Sequence, residues 1–222
     1  MSAPEPGSVQ IEAGGFALAG DLTLPPGQGG LVLFAHGSGS SRRSPRNRFV
    51  ADVLAEAGLG TLLFDLLTPA EENDRARVFD ISLLADRLML ASRWVAGLSG
   101  MEDRLLGYFG ASTGAAAALV AAARIDRPIG AVVSRGGRPD LAGSWLPGVA
   151  APTLLIVGGR DVAVLDLNRD AYEQLSCVKR LEIVPGATHL FEERGTLEKV
   201  AALAAAWFRA YLVPHPATQV AG

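Results

Sequence analysis

A single cysteine, Cys177, stands in 222 residues, so no disulfide can close within the chain and no cysteine-based zinc cluster can be built. Cys177 itself reads as a small buried filler. Lysine is nearly missing as well, at Lys179 and Lys199 only. Excess positive charge is absent: 20 Lys and Arg face 23 Asp and Glu, for a formal net charge of −3. Nucleic-acid binders neutralise phosphates with clustered, unbalanced cations, and this balance excludes that class. No run approaches the ~18 consecutive apolar residues of a membrane span. Met1–Gln10 carries neither the basic region nor the apolar core of a signal peptide. The expectation is a soluble, cytoplasmic protein that meets neither nucleic acid nor membrane, and nothing in the pattern sets its oligomeric state.

What is present is ordinary for a globule. Hydrophobic residues make up 49% and charged ones 19%, too apolar for a disordered chain. At ~150 residues per domain the length suits one domain spanning 1–222, with 1–7 and 214–222 as loose tails. Residues 8–24 read as a β-hairpin: Phe16, Leu18, Leu22 and Leu24 alternate with smaller or polar residues, Gly14-Gly15 supplies the turn, and Pro25-Pro26 ends it. Short apolar runs then follow at Leu31–Ala35, Thr61–Phe64, Arg104–Phe109, Ile129–Val133, Thr153–Val157 and Arg180–Val184. Each is bounded by Gly, Pro or Asp, as strands buried on both faces are. Helical patterns lie between most of them. One opens at Ser44-Pro45 and stops at Gly58, one is capped by Asp80 and ends near Gly97, one begins at Ser112, and the last begins at Thr196. A hairpin followed by strand–helix units predicts an α/β fold: a mostly parallel sheet with an antiparallel N-terminal edge and helices on both faces.

In such sheets chemistry collects where strands exit at their carboxyl ends. The run ending at Phe109 is followed by Gly110-Ala111-Ser112-Thr113-Gly114, a G-x-S-x-G pattern between strand and helix. A serine lifted on a sharp turn there needs near-bare neighbours two residues either side, because strand and helix pass in contact. A helix start with Ser112 as a plain N-cap is the competing reading. Gly158-Gly159-Arg160-Asp161 and Pro185-Gly186-Ala187-Thr188-His189 follow the runs ending at Val157 and Val184. A serine hydroxyl needs an imidazole to take its proton, and the imidazole needs a carboxylate to fix its tautomer. The chain order Ser112, Asp161, His189 supplies all three at strand exits. Other candidates are His36, His215 and Asp140, and Asp161 could instead cap the helix behind it. Donors for an oxyanion are expected from the Thr113 amide, and from the Ser38 amide in the loop His36-Gly37-Ser38-Gly39-Ser40-Ser41. Arg42, Arg43, Arg46 and Arg48 crowd a helix N-terminus against its dipole. Either Arg42 and Arg46 face the pocket and attract a substrate anion, or the cluster is solvated or paired with acids such as Glu71 and Glu72. Asp65, Glu71 and Glu72 read as a solvated loop near the site.

Together, Ala35-His36-Gly37-Ser38-Gly39-Ser40-Ser41, Gly110–Gly114, Gly159-Arg160-Asp161 and Gly186-Ala187-Thr188-His189 resemble small α/β-hydrolases related to dienelactone hydrolase. The resemblance runs from the hairpin to the last helix. It implies hydrolysis of an ester, thioester or lactone through an acyl-enzyme, without a cofactor or metal. Dienelactone hydrolases proper place a cysteine where this chain has Ser112. Only Ser134–Pro152 separates the Ile129–Val133 strand from the next, too short for a helical cap, so the expected pocket is shallow and suits short acyl groups. Two other classes were weighed. One is a dinucleotide fold with Asp65 on a ribose, for which Gly37-x-Gly39 is half a fingerprint, but Arg42 stands where the third glycine belongs. The other is a non-catalytic ligand-binding relative of the hydrolase fold.

Overall fold

The computed structural model describes residues 7–27, 29–101 and 103–213. Eight strands form one sheet: β1 Gly7–Ala13, β2 Phe16–Thr23, β3 Leu31–Ala35, β4 Gly60–Phe64, β5 Leu106–Ala111, β6 Ile129–Arg135, β7 Thr153–Gly158 and β8 Lys179–Val184. Their order in space is β1-β2-β4-β3-β5-β6-β7-β8. β2 runs antiparallel to both β1 and β4, and every pairing from β4 through β8 is parallel. The hairpin turn is the expected Gly14-Gly15, with Ala13 opposite Phe16 and both glycines at positive φ. Gly7 is already paired with Leu22, so it is strand and not tail. The remaining tail residues, and His215 with them, lie outside the described residues.

Six helices cover the sheet: α1 Pro45–Glu56, α2 Arg75–Val78, α3 Ile81–Ala96, α4 Thr113–Arg124, α5 Val162–Gln174 and α6 Thr196–Leu212. Strand residues alternate between two apolar layers. Leu31, Leu33, Leu106, Tyr108 and Val132 point to the side of α3, α4 and α5. Val32, Phe34, Phe109, Val133 and Ile156 point to the side of α1 and α6. This alternation explains why the inner strands read as continuous apolar runs. The edge strand β8 mixes Lys179, Arg180 and Glu182 into its sequence, which discourages pairing with another chain.

Local chemistry sets the helix starts. Ser44 accepts from the Asn47 amide with Pro45 at the first helical position, and Asp80 accepts from the Leu83 amide. Several strand ends differ from the sequence reading by one residue, and those of β5 and β6 by two. β5 begins at Leu106, because Arg104 turns aside to donate to the carbonyls of Gly27 and Gly29. β6 runs on to Arg135, two residues past the expected end, and carries a guanidinium to the functional edge of the sheet. The segment after β6 forms two short 3-10 turns within Pro139–Gly148, separated by a kink at Gly143 with φ 51°. No helix among the described residues is long and apolar enough to cross a membrane.

Candidate active site

All parallel strands exit on one edge, and the β5 exit is the tightest turn there. Ser112 holds φ 52° and ψ −122°, a conformation that costs a side-chain-bearing residue roughly 1–3 kcal/mol. It makes no side-chain cap bond to α4, so the plain N-cap reading does not hold. The flanking glycines are obligatory for a steric reason. A Cβ on Gly110 would sit 2.4 Å from the Ala115 Cα, and one on Gly114 would sit 2.1 Å from the Ala35 carbonyl oxygen. The Ser112 carbonyl accepts from the Ala115 and Arg138 amides, and its own amide donates to the Arg135 carbonyl. The turn is thus pinned to both neighbouring strands.

Asp161 and His189 meet across the β7 and β8 exits. The His189 Nδ1 lies 2.7 Å from Asp161 Oδ2, with the histidine side chain 38% and the aspartate 15% exposed. Asp161 makes no cap bond to α5, so its carboxylate serves the imidazole. That contact leaves Nε2 as the other face of the ring. No hydrogen bond joins the Ser112 hydroxyl to this ring in the structure. Catalytic hydrogen bonds are often loose without a substrate.

Three features of the His189 loop escaped the sequence reading. Phe191 adopts φ 55° with its side chain buried, and so anchors the loop in the α1–α6 layer. Glu193 accepts from the Thr188 amide, which holds its carboxyl below the usual range. Gly136 passes under the histidine, where a Cβ would lie 3.0 Å from the His189 carbonyl oxygen. Positive φ at a phenylalanine has no sequence signature. The Glu193 contact sits at a spacing that a loop does not advertise.

The competitors are occupied elsewhere. His36 is buried, its Nδ1 against the Gly37 carbonyl and its Nε2 accepting from the Leu66 amide. Burial holds its pKa below the ordinary value, so it is a neutral strut between the β3 and β4 exits. Asp140 is gripped at both oxygens by Arg138.

The two expected oxyanion donors are linked by a contact that the sequence does not show. Thr113 heads α4, where its amide has no intrahelical acceptor. The Ser38 amide, expected to point free, donates instead to the Thr113 hydroxyl at 2.9 Å. The side chain of the residue after the serine therefore intercepts the second donor. For the arginine cluster, pairing with acids is the alternative that forms, though with other acids than Glu71 and Glu72. Arg42 is ion-paired with Asp65 and Asp21, Arg48 with Asp21, and Arg46 with Glu192. Glu71 belongs to a different set, with Arg77 and Arg87. Arg42 thus braces the β3 and β4 exits with its charge matched by two carboxylates, and Asp65 is its partner rather than a solvated loop acid.

A cavity of about 730 Å³ opens alongside the His36–Ser41 loop, with Leu66, Leu67, Val78, Phe79 and Leu84 as apolar walls and Glu72, Asn73 and Arg75 as polar ones. Ser112, Asp161 and His189 are not among its walls; Ser38, which bonds Thr113, joins the two regions. The Leu66–Asp80 stretch after β4 folds into a 3-10 turn and α2 and supplies most of the cavity's walls beyond the His36–Ser41 loop.

Comparison with known proteins follows this geometry. No family model matches the chain. The crystal structure of dienelactone hydrolase from Anabaena variabilis is 57% identical with a TM-score of 0.91, over 95% of this chain and 99% of that one. An α/β serine hydrolase without a lid from Xanthomonas campestris shares the fold at TM-score 0.76 and 21% identity, over 96% of this chain and 97% of that one. A protein of Mycobacterium tuberculosis named "Putative phosphoribosyl transferase" is 61% identical over 90% of this chain. The chain spans only 45% of that relative's length.

Proposed function

The chain belongs to the α/β-hydrolases related to dienelactone hydrolase, and on that premise we propose that it is a serine hydrolase of small carboxylic esters, thioesters or lactones. The observation that carries this reading is the 2.7 Å His189–Asp161 contact on the same sheet edge as a serine in a strained turn. Ser112 is the nucleophile, His189 the general base and acid, and Asp161 the group that fixes the histidine tautomer. In acylation the Ser112 oxygen bonds the carbonyl carbon and its proton passes to His189 Nε2. The ring then protonates the leaving alkoxide or thiolate as that bond breaks. In deacylation a water gives its proton to the same nitrogen, its oxygen bonds the acyl carbon, and Ser112 leaves with the proton returned.

The developing oxyanion is met by the Thr113 amide and by the Thr113 hydroxyl. The hydroxyl accepts from Ser38 and so keeps its own hydrogen free to donate. The cavity beside the His36–Ser41 loop receives the larger substrate substituent, and its volume is in the range of drug-sized ligand sites. Phosphoribosyl transfer is named for a relative of which this chain spans only 45%. The test is labelling with a fluorophosphonate followed by mass mapping, beside turnover of an ester, thioester and lactone panel. A stoichiometric adduct on Ser112 with turnover is expected. Turnover with the adduct mapped to another residue would overturn the assignment.

A further inference from the structure

Arg135 is the last residue of β6 and is 7% exposed. Its strand neighbour in β5 is Ala111, directly before the nucleophile position. By the alternation of β6 it points to the α1–α6 side of the sheet, beneath the loop that carries His189. Buried guanidiniums are ordinarily matched by a carboxylate. Among the described residues none lies within ion-pair distance of Arg135. Its one side-chain partner is neutral: Nη2 reaches the Asn47 Oδ1 at 3.4 Å, a long contact. Its Nε is buried and unpartnered, and so is the Nε of Arg46 in the first turn of α1.

The surroundings deepen the imbalance. Arg46 is close enough to depress the Arg135 pKa, which burial and that repulsion lower to about 10, so the group remains charged at neutral pH. The first turn of α1 contains no acidic residue, and the positive end of its dipole adds to the field. Among the described residues the carboxylate paired there is Glu192, bound to Arg46 at 3.1 Å and 64% exposed. Two guanidiniums against one carboxylate leave a single positive charge unmatched, with Arg135 its buried member.

We propose that Arg135, Arg46 and Asn47 form a binding site for one compact monoanion, a halide or a carboxylate group, beside the His189 loop. The local charge sets the valence at one, and the burial of Arg135 limits the size. A carboxylate could come from free solution or from a substituent of the substrate. The site itself does not depend on the hydrolase reading; only the second source does.

Thermal unfolding of the full chain in rising sodium formate and sodium bromide tests it, with Arg135→Gln and Arg46→Gln alongside to cancel the general effect of salt. The expected result is a saturable rise of about 5 °C in wild type that both variants lose. Bromide-soaked crystals should show an anomalous peak within about 4 Å of both guanidiniums. Equal salt responses in all three proteins, or crystals without that peak, overturn the site. If Arg135→Gln fails to fold, Arg46→Gln and the crystals decide, since Arg46 is partly exposed. Matched esters with and without a terminal carboxylate separate the sources. Formate that raises KM only for the acid-bearing ester assigns the site to substrate, and formate that alters neither assigns it to a free ion. An inactive protein would leave the melting and crystal readouts intact, so failure of the hydrolase reading is visible separately.

Discussion

Two regions of one sheet edge, the β5 exit and the paired β7 and β8 exits, position their candidate residues by different means. At the β5 exit the chain is held by backbone against backbone: Gly114 on the Ala35 carbonyl, Gly110 on α4, and the Ser112 carbonyl shared by two amides. At the β7 and β8 exits the backbone is close-packed too, with Gly158 against the Ala187 carbonyl, but the candidate pair itself is set by side chains, with Asp161 on His189, Glu193 on the Thr188 amide, and Phe191 buried as an anchor. Backbone packing admits no adjustment, so the nucleophile turn ties activity to the fold. Side chains on half-exposed loops can be changed with the fold left standing. One site therefore combines a rigid half with a separable half.

Substitutions that delete a function without touching the packing should have the largest effect on rate. Ser112→Ala keeps the turn and should lower kcat by ~10³–10⁶-fold, with Tm little changed. Asp161→Asn, in the separable half, should cost ~10³–10⁴-fold by misorienting the ring, again in a folded protein. A comparable loss of Tm in Asp161→Asn would break the comparison. Gly114→Ala tests the rigid half directly. A Cβ 2.1 Å from a backbone oxygen forces strand and helix apart, so stability should fall by about 3 kcal/mol or more, with activity lost in parallel. Retained Tm in this variant would show that the turn yields.

Smaller effects sharpen the picture. Thr113→Val keeps the amide and removes the hydroxyl, and should lower kcat by about 10–100-fold while Thr113→Ser restores it. Rates on Thr113→Val equal to wild type would return the second oxyanion contact to Ser38 alone. The smallest effect concerns His36, whose pKa is lowered by burial. The unfolded chain then binds more protons than the native one as pH falls below about 6.5. Stability should be full above that value and decline through the window below it. His36→Gln should flatten this acid arm in melting curves recorded against pH.

Most of the architecture was legible because buried parallel strands and amphipathic helices leave periodic marks. The hairpin, the six parallel strands and the helix starts at Ser44-Pro45 and Asp80 all came from local pattern. The serine turn was legible in part for a local reason: Gly110 is demanded by Ala115 five residues on, whereas Gly114 is demanded by the Ala35 carbonyl, a contact that only the fold creates. The partners of Arg42 and Ser38 were not legible, because each depends on residues brought from elsewhere. Asp65 and Asp21 reach Arg42 from β4 and β2, and Thr113 reaches Ser38 across 75 positions.

The sequence by itself determined a mostly parallel sheet with an antiparallel N-terminal hairpin and helices around it, and it supplied the residue types proposed as a triad, Ser112, Asp161 and His189. These follow from periodicity, from glycine where no side chain fits, and from the acid–base needs of a hydroxyl nucleophile. Tertiary structure alone decided which charges are matched. The same arginine side chain is neutralised at position 42 and left without a carboxylate at position 135. Charge pairing depends on the few ångströms between groups distant in the chain, and a linear pattern of residues carries no record of those distances.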